Sequence, residues 1–325
     1  MSKNRPRSFV LTPTMLAARV HAFGGPCAIK VEAVPTPEPG PGEVLVRVIA
    51  AGVGPWDALI RAGHSGVPQS LPLTLGADIC GEIFAVGEGV DGFEVTDAVY
   101  GVTNPSFVGG YAQYALARSS MIAAKPPSLN DDEAASAPVV GVTAMQMLWR
   151  HAKLQRGEAV LIHGAAGSVG DYAVHMAKAK GVRVLATARP QDQARLRTLP
   201  LDGTIDLNAA SAHAETFDAA LDLVGGPSQS QLFDFVKPGG VIVSSVSPPD
   251  NNLPGAKGVR TDFLIVDVDT QSLEELTELF QAGLVRPSVG KVLPLSAARE
   301  AHELMAQASG PPGKIVLQVA DSQNG

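Results

Sequence analysis

The stretch LIHGAAGSVGDYAVHMAKAKGVRVLATARP, residues 161–190, contains a glycine-rich turn between an apolar strand and a helix. Gly164, Gly167 and Gly170 are spaced three residues apart, directly after the apolar run that ends at His163. The helix that follows has apolar residues at positions i, i+3, i+4, i+7 and i+8, and a second apolar strand comes after it. This order of elements is typical of the first half of a dinucleotide-binding fold.

The same turn supports a second interpretation, because Ser168 lies in an Ala-x-Ser-x-Gly pattern. That pattern is one residue away from the turn that presents the nucleophilic serine of α/β-hydrolases. A hydrolase would need an acid and then a histidine further along the chain. Asp222 ends a predicted strand, but His213 precedes it and His302 falls in an amphipathic helix rather than a loop. A cofactor site is therefore the better interpretation, and a turn that binds no ligand stays as an alternative.

The residue at the end of the second strand indicates which dinucleotide would bind. An acidic side chain there would bond the 2′-hydroxyl of NAD, but the chain has Arg189, whose charge suits the 2′-phosphate of NADPH. The free N–H groups at the start of the helix would hold the pyrophosphate. The residues expected to bind the cofactor through this turn are Gly164, Gly167, Ser168, Val169 and Gly170.

The pattern of strands and helices along the chain predicts an α/β protein with a discontinuous second domain. Strands and helices alternate over residues 137–286, which predicts a doubly wound parallel sheet of the Rossmann type. Residues 15–136 are rich in short strands with glycine and proline turns, which predicts a β-barrel or folded sheet. The β pattern returns over residues 287–325, so we expect this segment to complete the first domain. Residues 1–14 are predicted to be a disordered tail.

Composition excludes several classes of protein. The 325 residues carry a formal net charge of −7, which leaves no basic surplus for nucleic acid. No apolar run approaches the roughly 20 residues that span a bilayer, so no membrane span is expected. Two cysteines are too few for a disulfide framework, which favours a reducing compartment and hence the cytoplasm.

A series of short motifs runs along the chain from about residue 15 to about residue 319. They are PGPGEVLVRVIAAGV (39–53), GADICGEIFAVGEGV (76–90), DAVYG (97–101), GGYAQYAL (109–116), AASAPVVGVTA (134–144), GAAGSVG (164–170), FDAALDLVGG (217–226), KPGGVIVS (237–244) and GKIVL (313–317). In order and spacing, the chain resembles the zinc-free quinone oxidoreductase (zeta-crystallin-like) branch of the medium-chain dehydrogenase/reductase superfamily. The resemblance implies a GroES-like substrate domain, a Rossmann domain, a cleft between them and, commonly, a homodimer.

The positions of the zinc ligands in this superfamily carry other residues here. Zinc-dependent members have a cysteine where this chain has Gly54, and a Gly-His-Glu run where it has Gly76, Ala77 and Asp78. The four-cysteine structural lobe is missing as well. The sequence therefore predicts that the protein binds no metal.

The substrate pocket also departs from the family pattern. Quinone reductases of this branch usually have Asn-Pro-x-Asp, where this chain has Gly54-Pro55-Trp56-Asp57. Trp56, His64, Phe107 and Tyr111 are the residues expected to shape the pocket, with Asp57 and Thr143 as catalytic candidates. By the resemblance, Thr143, Ser244, Phe263 and Lys314 also contact the cofactor. Each of these assignments has a structural alternative. Trp56 and Phe107 could simply belong to the core, and the hydroxyl of Thr143 could be bonded within its own helix. Asp57 could be a structural cap, and Lys314 could lie on the surface.

The absence of acid–base groups favours a reduction over the oxidation of an alcohol. No Tyr-x-x-x-Lys pair and no zinc ligands are present to remove the proton of an alcohol. Reduction of a quinone or an α,β-unsaturated carbonyl requires less acid–base catalysis, because the anion formed by hydride addition is stable. We therefore expect an NADPH-dependent enzyme that reduces a quinone, enone or alkenal. The alternatives are a non-catalytic NADPH-binding protein, with a crystallin-like or sensor role, and a zinc-free alcohol dehydrogenase.

Overall fold

The computed structural model of the chain describes residues 12–207, 216–250, 252, 258–307 and 312–319. Its strands are β1 (Thr14–Val20), β2 (Lys30–Pro35), β3 (Glu43–Val53), β4 (Leu73–Thr74), β5 (Asp78–Val86), β6 (Ala98–Val102), β7 (Tyr114–Arg118), β8 (Ile122–Ala124), β9 (Ala159–His163), β10 (Arg183–Thr187), β11 (Gly203–Ile205), β12 (Phe217–Asp222), β13 (Val236–Ser244), β14 (Arg260–Phe263), β15 (Val289–Pro294) and β16 (Lys314–Gln318). Its α-helices are α1 (Pro55–Ala62), α2 (Asp131–Ala135), α3 (Pro138–Met145), α4 (Ser168–Ala179), α5 (Gln193–Leu196), α6 (Thr270–Gln281) and α7 (Ala298–Met305).

Two units divide the chain. One, called here the β unit, consists of Met1–Pro138, Asp269–Glu274 and Ser288–Gly325. The other, called the α/β unit, consists of Val139–Val268 and Glu275–Pro287. The β unit is therefore discontinuous in sequence.

The α/β unit contains a six-stranded sheet in the order β11-β10-β9-β12-β13-β14, and every strand pair in it is parallel. Its central strands bury consecutive apolar residues, such as Val160, Leu161 and Ile162, as expected for a sheet covered on both faces. Asp222 is in register with His163 on one side and with Ser244 on the other, and Ser244 is in register with Phe263. The carboxyl ends of these four strands therefore lie at one edge of the sheet.

The β unit contains two sheets. The larger has the order β15-β16-β3-β5-β6-β8, with β7 also paired to β3, and the smaller has the order β2-β1-β4. Strand β16 pairs antiparallel with β3, so that Val316 lies opposite Gly52. The predicted α/β class, with a parallel sheet and a second β domain that takes up the C-terminal segment, is confirmed.

Three details of the structure differ from what the sequence suggests. The amphipathic run SQSQLFDFV (228–236) is typical of a helix, but residues 226–235 form a 3₁₀-helix rather than an α-helix. It buries Gln229, Leu232 and Phe235, and this three-residue spacing places them on one face of such a helix. The apolar run DFLIVDV (262–268) is typical of a strand, but β14 begins at Arg260 and ends at Phe263. Residues 1–11 of the predicted tail lie outside the described residues, and Thr14 already belongs to β1.

Candidate functional site

The glycine turn joins β9 directly to α4. Gly164 has φ +98°, a conformation that L side chains rarely adopt. A Cβ on Gly170 would lie 2.5 Å from the Cα of Ala165 and would also overlap the carbonyl oxygen of Gly164. Gly167 is the N-cap of α4 and has no side chain to cap the first N–H groups, while Ser168 and Val169 form the first positions of the helix. The first N–H groups of α4 thus have no side-chain cap, which suits the binding of a dinucleotide pyrophosphate.

Arg189 lies two residues beyond the end of β10, where the adenine ribose of a dinucleotide is expected. Its Nε donates to Oδ2 of Asp192 at 2.6 Å, and its Nη2 donates to Oδ1 at 3.3 Å. The side chain of Arg189 is 55% exposed and that of Asp192 is 19% exposed. The cation predicted to face the 2′-phosphate therefore already has a carboxylate partner, which the sequence interpretation missed although the two residues are only three apart.

Arg195 is held by a more buried carboxylate. Its Nη2 lies 3.0 Å from Oδ2 of Asp171 on α4, and the Asp171 side chain is 8% exposed. Burial raises the pKa of the Asp171 carboxyl, and the charges of Arg195 and His175 oppose that rise. This pair connects α4 with α5.

His163 bridges three segments at the carboxyl edge of the sheet. Its Nε2 lies 2.9 Å from Oγ of Ser228 and its Nδ1 2.8 Å from Oγ1 of Thr187. Because the Ser228 hydroxyl donates to the carbonyl of Gly225, it accepts from Nε2–H, and Nδ1 then accepts the proton of Thr187. Burial lowers the pKa of His163, so the ring is neutral at physiological pH.

Asp222 and Ser244 form a closed network at the same edge. Asp222 accepts two backbone N–H bonds at Oδ1, from Val224 at 3.1 Å and Gly225 at 2.9 Å. Its Oδ2 accepts from Nε2 of Gln229 at 2.7 Å and from Oγ of Ser244 at 2.9 Å. Asp222 is thus a fully bonded structural carboxylate, which argues further against the hydrolase alternative. The hydroxyl of Ser244, predicted at the nicotinamide side, is directed at Asp222.

Thr143 and Phe263 are the remaining predicted cofactor residues of this unit. Thr143 is buried in α3, and its hydroxyl donates to the carbonyl of Val139 at 2.6 Å. This bond matches the alternative of a satisfied helix hydroxyl. Phe263 ends β14 and is 37% exposed at the edge that also carries Ser244.

In the β unit, Trp56 lies beside Gly54 at the start of α1. A Cβ on Gly54 would overlap three carbons of the indole. The ring therefore occupies the volume of a side chain at position 54, where the family pattern has asparagine and zinc-dependent relatives have a cysteine ligand. The departure from Asn-Pro-x-Asp is explained by this packing, since glycine and tryptophan are sterically complementary here.

Asp57 is fully buried and holds the start of α1. Its Oδ2 accepts from the backbone N–H of Gly54 at 2.8 Å and from the hydroxyl of Tyr111 at 2.9 Å. Burial raises the pKa of Asp57 from 3.8 to about 7; the bonds from Gly54 and Tyr111 and the charge of Lys314 only partly oppose this. Because Oδ2 accepts both bonds, Oδ1 is the oxygen that carries the proton of the neutral form.

Lys314 is buried at the start of β16. Its Nζ lies 3.1 Å from Oδ2 of Asp78 and 3.9 Å from the centroid of the Trp56 ring. The ion pair and the cation–π contact bring the C-terminal strand, β5 and α1 together. The alternative of a surface lysine is wrong, because the side chain is only 4% exposed. In the sequence, its acidic partner Asp78 stands out only as a departure from Gly-His-Glu.

Tyr111 is packed between two polar groups. Its hydroxyl bonds Asp57, and its ring contacts His302 edge-on with the ring centroids 6.0 Å apart. His302 accepts at Nδ1 from Nη1 of Arg61 at 2.7 Å, a buried pair that the sequence did not indicate because it joins residues 241 positions apart. Tyr111 is itself fully buried. The structure therefore places its ring in the hydrophobic core of the β unit, with the hydroxyl bonded to Asp57.

The other two predicted pocket residues are more exposed. His64 lies just beyond the end of α1 and its side chain is exposed. Phe107 has φ +58° and is partly buried against the hydrophobic core of the β unit, as its alternative core role would require. Among the predicted site residues of the β unit, the structure shows contacts of Asp57 with Tyr111 and of Trp56 with Lys314.

Neither a cluster of metal ligands nor a membrane-spanning helix occurs in the part of the chain that the structure describes. In residues 12–207, 216–250, 252, 258–307 and 312–319, no group of three or more His, Cys, Asp or Glu side chains is arranged to hold a metal ion. Within the same part of the chain, none of the helices combines the length and apolar character needed to cross a membrane.

Known proteins are similar to both parts of the chain. The matching family models are described as "Alcohol dehydrogenase GroES-like domain", over residues 40–127, and "Zinc-binding dehydrogenase", over residues 199–317. The quinone oxidoreductase of Sus scrofa is 33% identical, over 93% of this chain and 97% of the relative. Such identity over nearly the whole length establishes the family.

Solved structures agree with this assignment. The quinone oxidoreductase from Coxiella burnetii has a TM-score of 0.87 and 32% identity, over 94% of this chain and 100% of that chain. Mycobacterial Rv1454c, solved in complex with NADPH, has a TM-score of 0.82 and 27% identity, over 94% of this chain and 100% of that chain. The motifs, the glycine turn in its parallel sheet and these similarities show that the chain is an oxidoreductase that uses a nicotinamide cofactor and belongs to the zinc-free quinone oxidoreductase branch of the medium-chain dehydrogenase/reductase superfamily.

Proposed function

We propose that this protein is an NADPH-dependent reductase that transfers hydride to a quinone or an α,β-unsaturated carbonyl without zinc. The observation that carries the proposal is the packing of Trp56 against Gly54, which fills the place of a metal-ligating side chain with an indole. A reaction that needs no Lewis acid suits this site, and reduction of an activated C=C bond or quinone is such a reaction. The quinone reductases among the similar proteins support the same substrate class.

NADPH is the proposed cofactor, and when bound it supplies the hydride. The glycine turn and the first N–H groups of α4 hold the pyrophosphate, and Arg189 binds the 2′-phosphate. Phe263 packs against the cofactor at the carboxyl edge of the sheet. Ser244 helps to fix the carboxyl edge of the parallel sheet through its bond to Asp222. Thr143 already donates its proton to Val139, so it offers a ligand only the lone pairs of its hydroxyl.

The proposed substrate side lies in the β unit. Trp56, His64 and Phe107 shape the pocket, and the buried Tyr111 supports it from the core through its bond to Asp57. At neutral pH a fraction of the protein molecules carries a proton on Oδ1 of Asp57, because the pKa of this carboxyl is about 7. Such a group can return a proton to the product anion. The ammonium of Lys314, whose Nζ lies 3.9 Å from the centroid of the Trp56 ring, stabilises negative charge that develops nearby.

We further propose the cytoplasm as the location and a homodimer as the assembly, with residues 15–136 and 287–325 as the substrate domain and 137–286 as the cofactor domain. Two cysteines in 325 residues fit a reducing compartment. Cys80 is buried and Cys27 is exposed, and both are free thiols. Light scattering of the purified protein tests the assembly.

Loss of the nicotinamide absorbance of NADPH tests the reaction. The purified protein is mixed with 9,10-phenanthrenequinone, with 1,4-benzoquinone and with a panel of enones, with and without a zinc chelator. We expect turnover of at least one of these electrophiles and no effect of the chelator. Binding of NADPH without any turnover would instead indicate a non-catalytic NADPH-binding protein. Reduction of NADP⁺ by alcohols would indicate the alcohol dehydrogenase alternative.

A further inference from the structure

The two arginines that follow β10 are paired in different ways. Arg189 is paired with Asp192 on the surface, where both Nε and Nη2 of the guanidinium meet the carboxylate. Arg195 is paired with Asp171, whose side chain is only 8% exposed. A buried pair is costly to break because a charge would be left without a partner, whereas an exposed pair contributes little and exchanges partners readily. Arg189 is therefore the arginine that can exchange its partner for a ligand.

The backbone of Asp192 keeps its carboxylate near Arg189. It closes the 3₁₀ turn Pro190–Asp192, in which the Asp192 N–H donates to the carbonyl of Arg189 at 3.0 Å. A phosphate that binds Arg189 either displaces the Asp192 carboxylate from Nε and Nη2 or takes the remaining N–H groups of the guanidinium, and in both cases it lies close to the carboxylate charge. A ribose with a free 2′-hydroxyl does not meet this repulsion, because a hydroxyl can donate to a carboxylate.

We propose that Asp192 is a specificity-determining residue that weakens the preference of this protein for NADPH over NADH. The inference rests on the proposed role of Arg189 as the 2′-phosphate ligand. Arg189 attracts the phosphate, and Asp192 competes with the phosphate for the guanidinium and repels it. The cofactor preference is set by the balance of these two side chains, and it is therefore moderate.

Calorimetric titration of the full chain with NADPH and with NADH tests the inference. Asp192→Asn keeps the size of the side chain and an oxygen acceptor for Arg189 but removes the charge. We expect Asp192→Asn to lower the Kd for NADPH by about two- to fivefold, as for a screened like-charge pair, and not to lower the Kd for NADH. Asp234→Asn, which removes an exposed carboxylate elsewhere in the α/β unit, is the matched control and should leave both Kd values unchanged.

Arg189→Ala separates this inference from the proposed function. If Arg189→Ala raises the Kd for NADPH at least tenfold while Asp192→Asn leaves the ratio of the two Kd values unchanged, the role of Asp192 is refuted and the NADPH assignment stands. If Arg189→Ala changes both Kd values equally, Arg189 does not bind the 2′-phosphate and both proposals fail. An equal gain with Asp234→Asn would mean that net charge alone is responsible, which also overturns the role of Asp192.

Discussion

The indole of Trp56 occupies the volume that a side chain at position 54 would fill, so that Gly54 and Trp56 form a complementary pair at the start of α1. The residue type at each of these two positions depends on the other. Glycine is required because the ring lies against its Cα, and the ring has room because glycine has no Cβ. The pair also adjoins the buried ammonium of Lys314, which lies over the same ring.

The first prediction concerns this complementarity. Gly54→Ala forces the indole to move and should lower the free energy of unfolding by about 1–3 kcal/mol, the usual range for overpacking. In a Trp56→Ala background the same change should cost far less, because the obstructing ring is gone. Denaturant unfolding of the two single variants and the double variant measures the coupling. Additive effects would show that the ring does not constrain position 54.

The second prediction follows from the raised pKa of Asp57. The folded protein keeps a proton on this carboxyl up to about pH 7, whereas the unfolded chain releases it near 3.8. The stabilisation by Asp57 is therefore complete below about pH 4 and is lost as the pH rises toward about 7, by up to ~4 kcal/mol. Asp57→Asn keeps an acceptor for Gly54 and lacks this titration. Unfolding curves of both proteins from pH 4 to 8 should converge or cross as the pH rises; parallel curves would contradict the raised pKa.

The third prediction concerns His302, which makes stability depend on pH in the opposite direction to Asp57. Burial, assisted by the charge of Arg61, lowers the pKa of His302 from 6.5 to about 3. As the pH falls below about 6.5 the unfolded chain takes up a proton that the folded protein cannot, so stability is lost, by roughly 2 kcal/mol at about pH 5. His302→Gln retains an acceptor for Arg61 and should remove this acid sensitivity. A wild-type slope that persists in the variant would assign it to other groups.

The fourth prediction concerns the buried ion pair of Lys314 and Asp78. Lys314→Met leaves the Asp78 carboxylate without this cation and should cost about 3–5 kcal/mol in unfolding free energy. The double variant Lys314→Met with Asp78→Asn should be more stable than the Lys314 single variant, because the carboxylate charge is gone as well. Tryptophan fluorescence in a Trp149→Phe background reports whether the Trp56 environment changes with the cation. Equal stability of wild type and Lys314→Met would show that the pair contributes nothing.

The sequence predicted those features that depend on neighbouring residues. The glycine spacing at 164, 167 and 170, and the alternation of strands and helices after it, are local patterns with a fixed physical meaning. They led to the parallel sheet, the position of Arg189 and the family. The motifs also placed Asp57 and Lys314 among the candidate site residues.

Contacts between distant residues could not be predicted in this way. The Arg61–His302 pair and the Asp78–Lys314 pair join segments more than 200 residues apart, and no spacing rule relates them. The position of the Trp56 ring against Gly54 depends on the rotamer of this side chain, which the sequence does not specify. Asp192 is close in sequence to Arg189, but its effect on the cofactor depends on a bond that only the structure shows.

The pairing of β3 with β16 has a consequence for synthesis of the protein. Strand β3 is made early, but the strand that covers Ala50–Val53 along one edge comes after the whole of the α/β unit. A nascent chain can therefore fold its middle domain while its first domain still has an open apolar edge, since domains fold as units as they emerge. Until β16 leaves the ribosome, this edge is available for incorrect pairing with other chains.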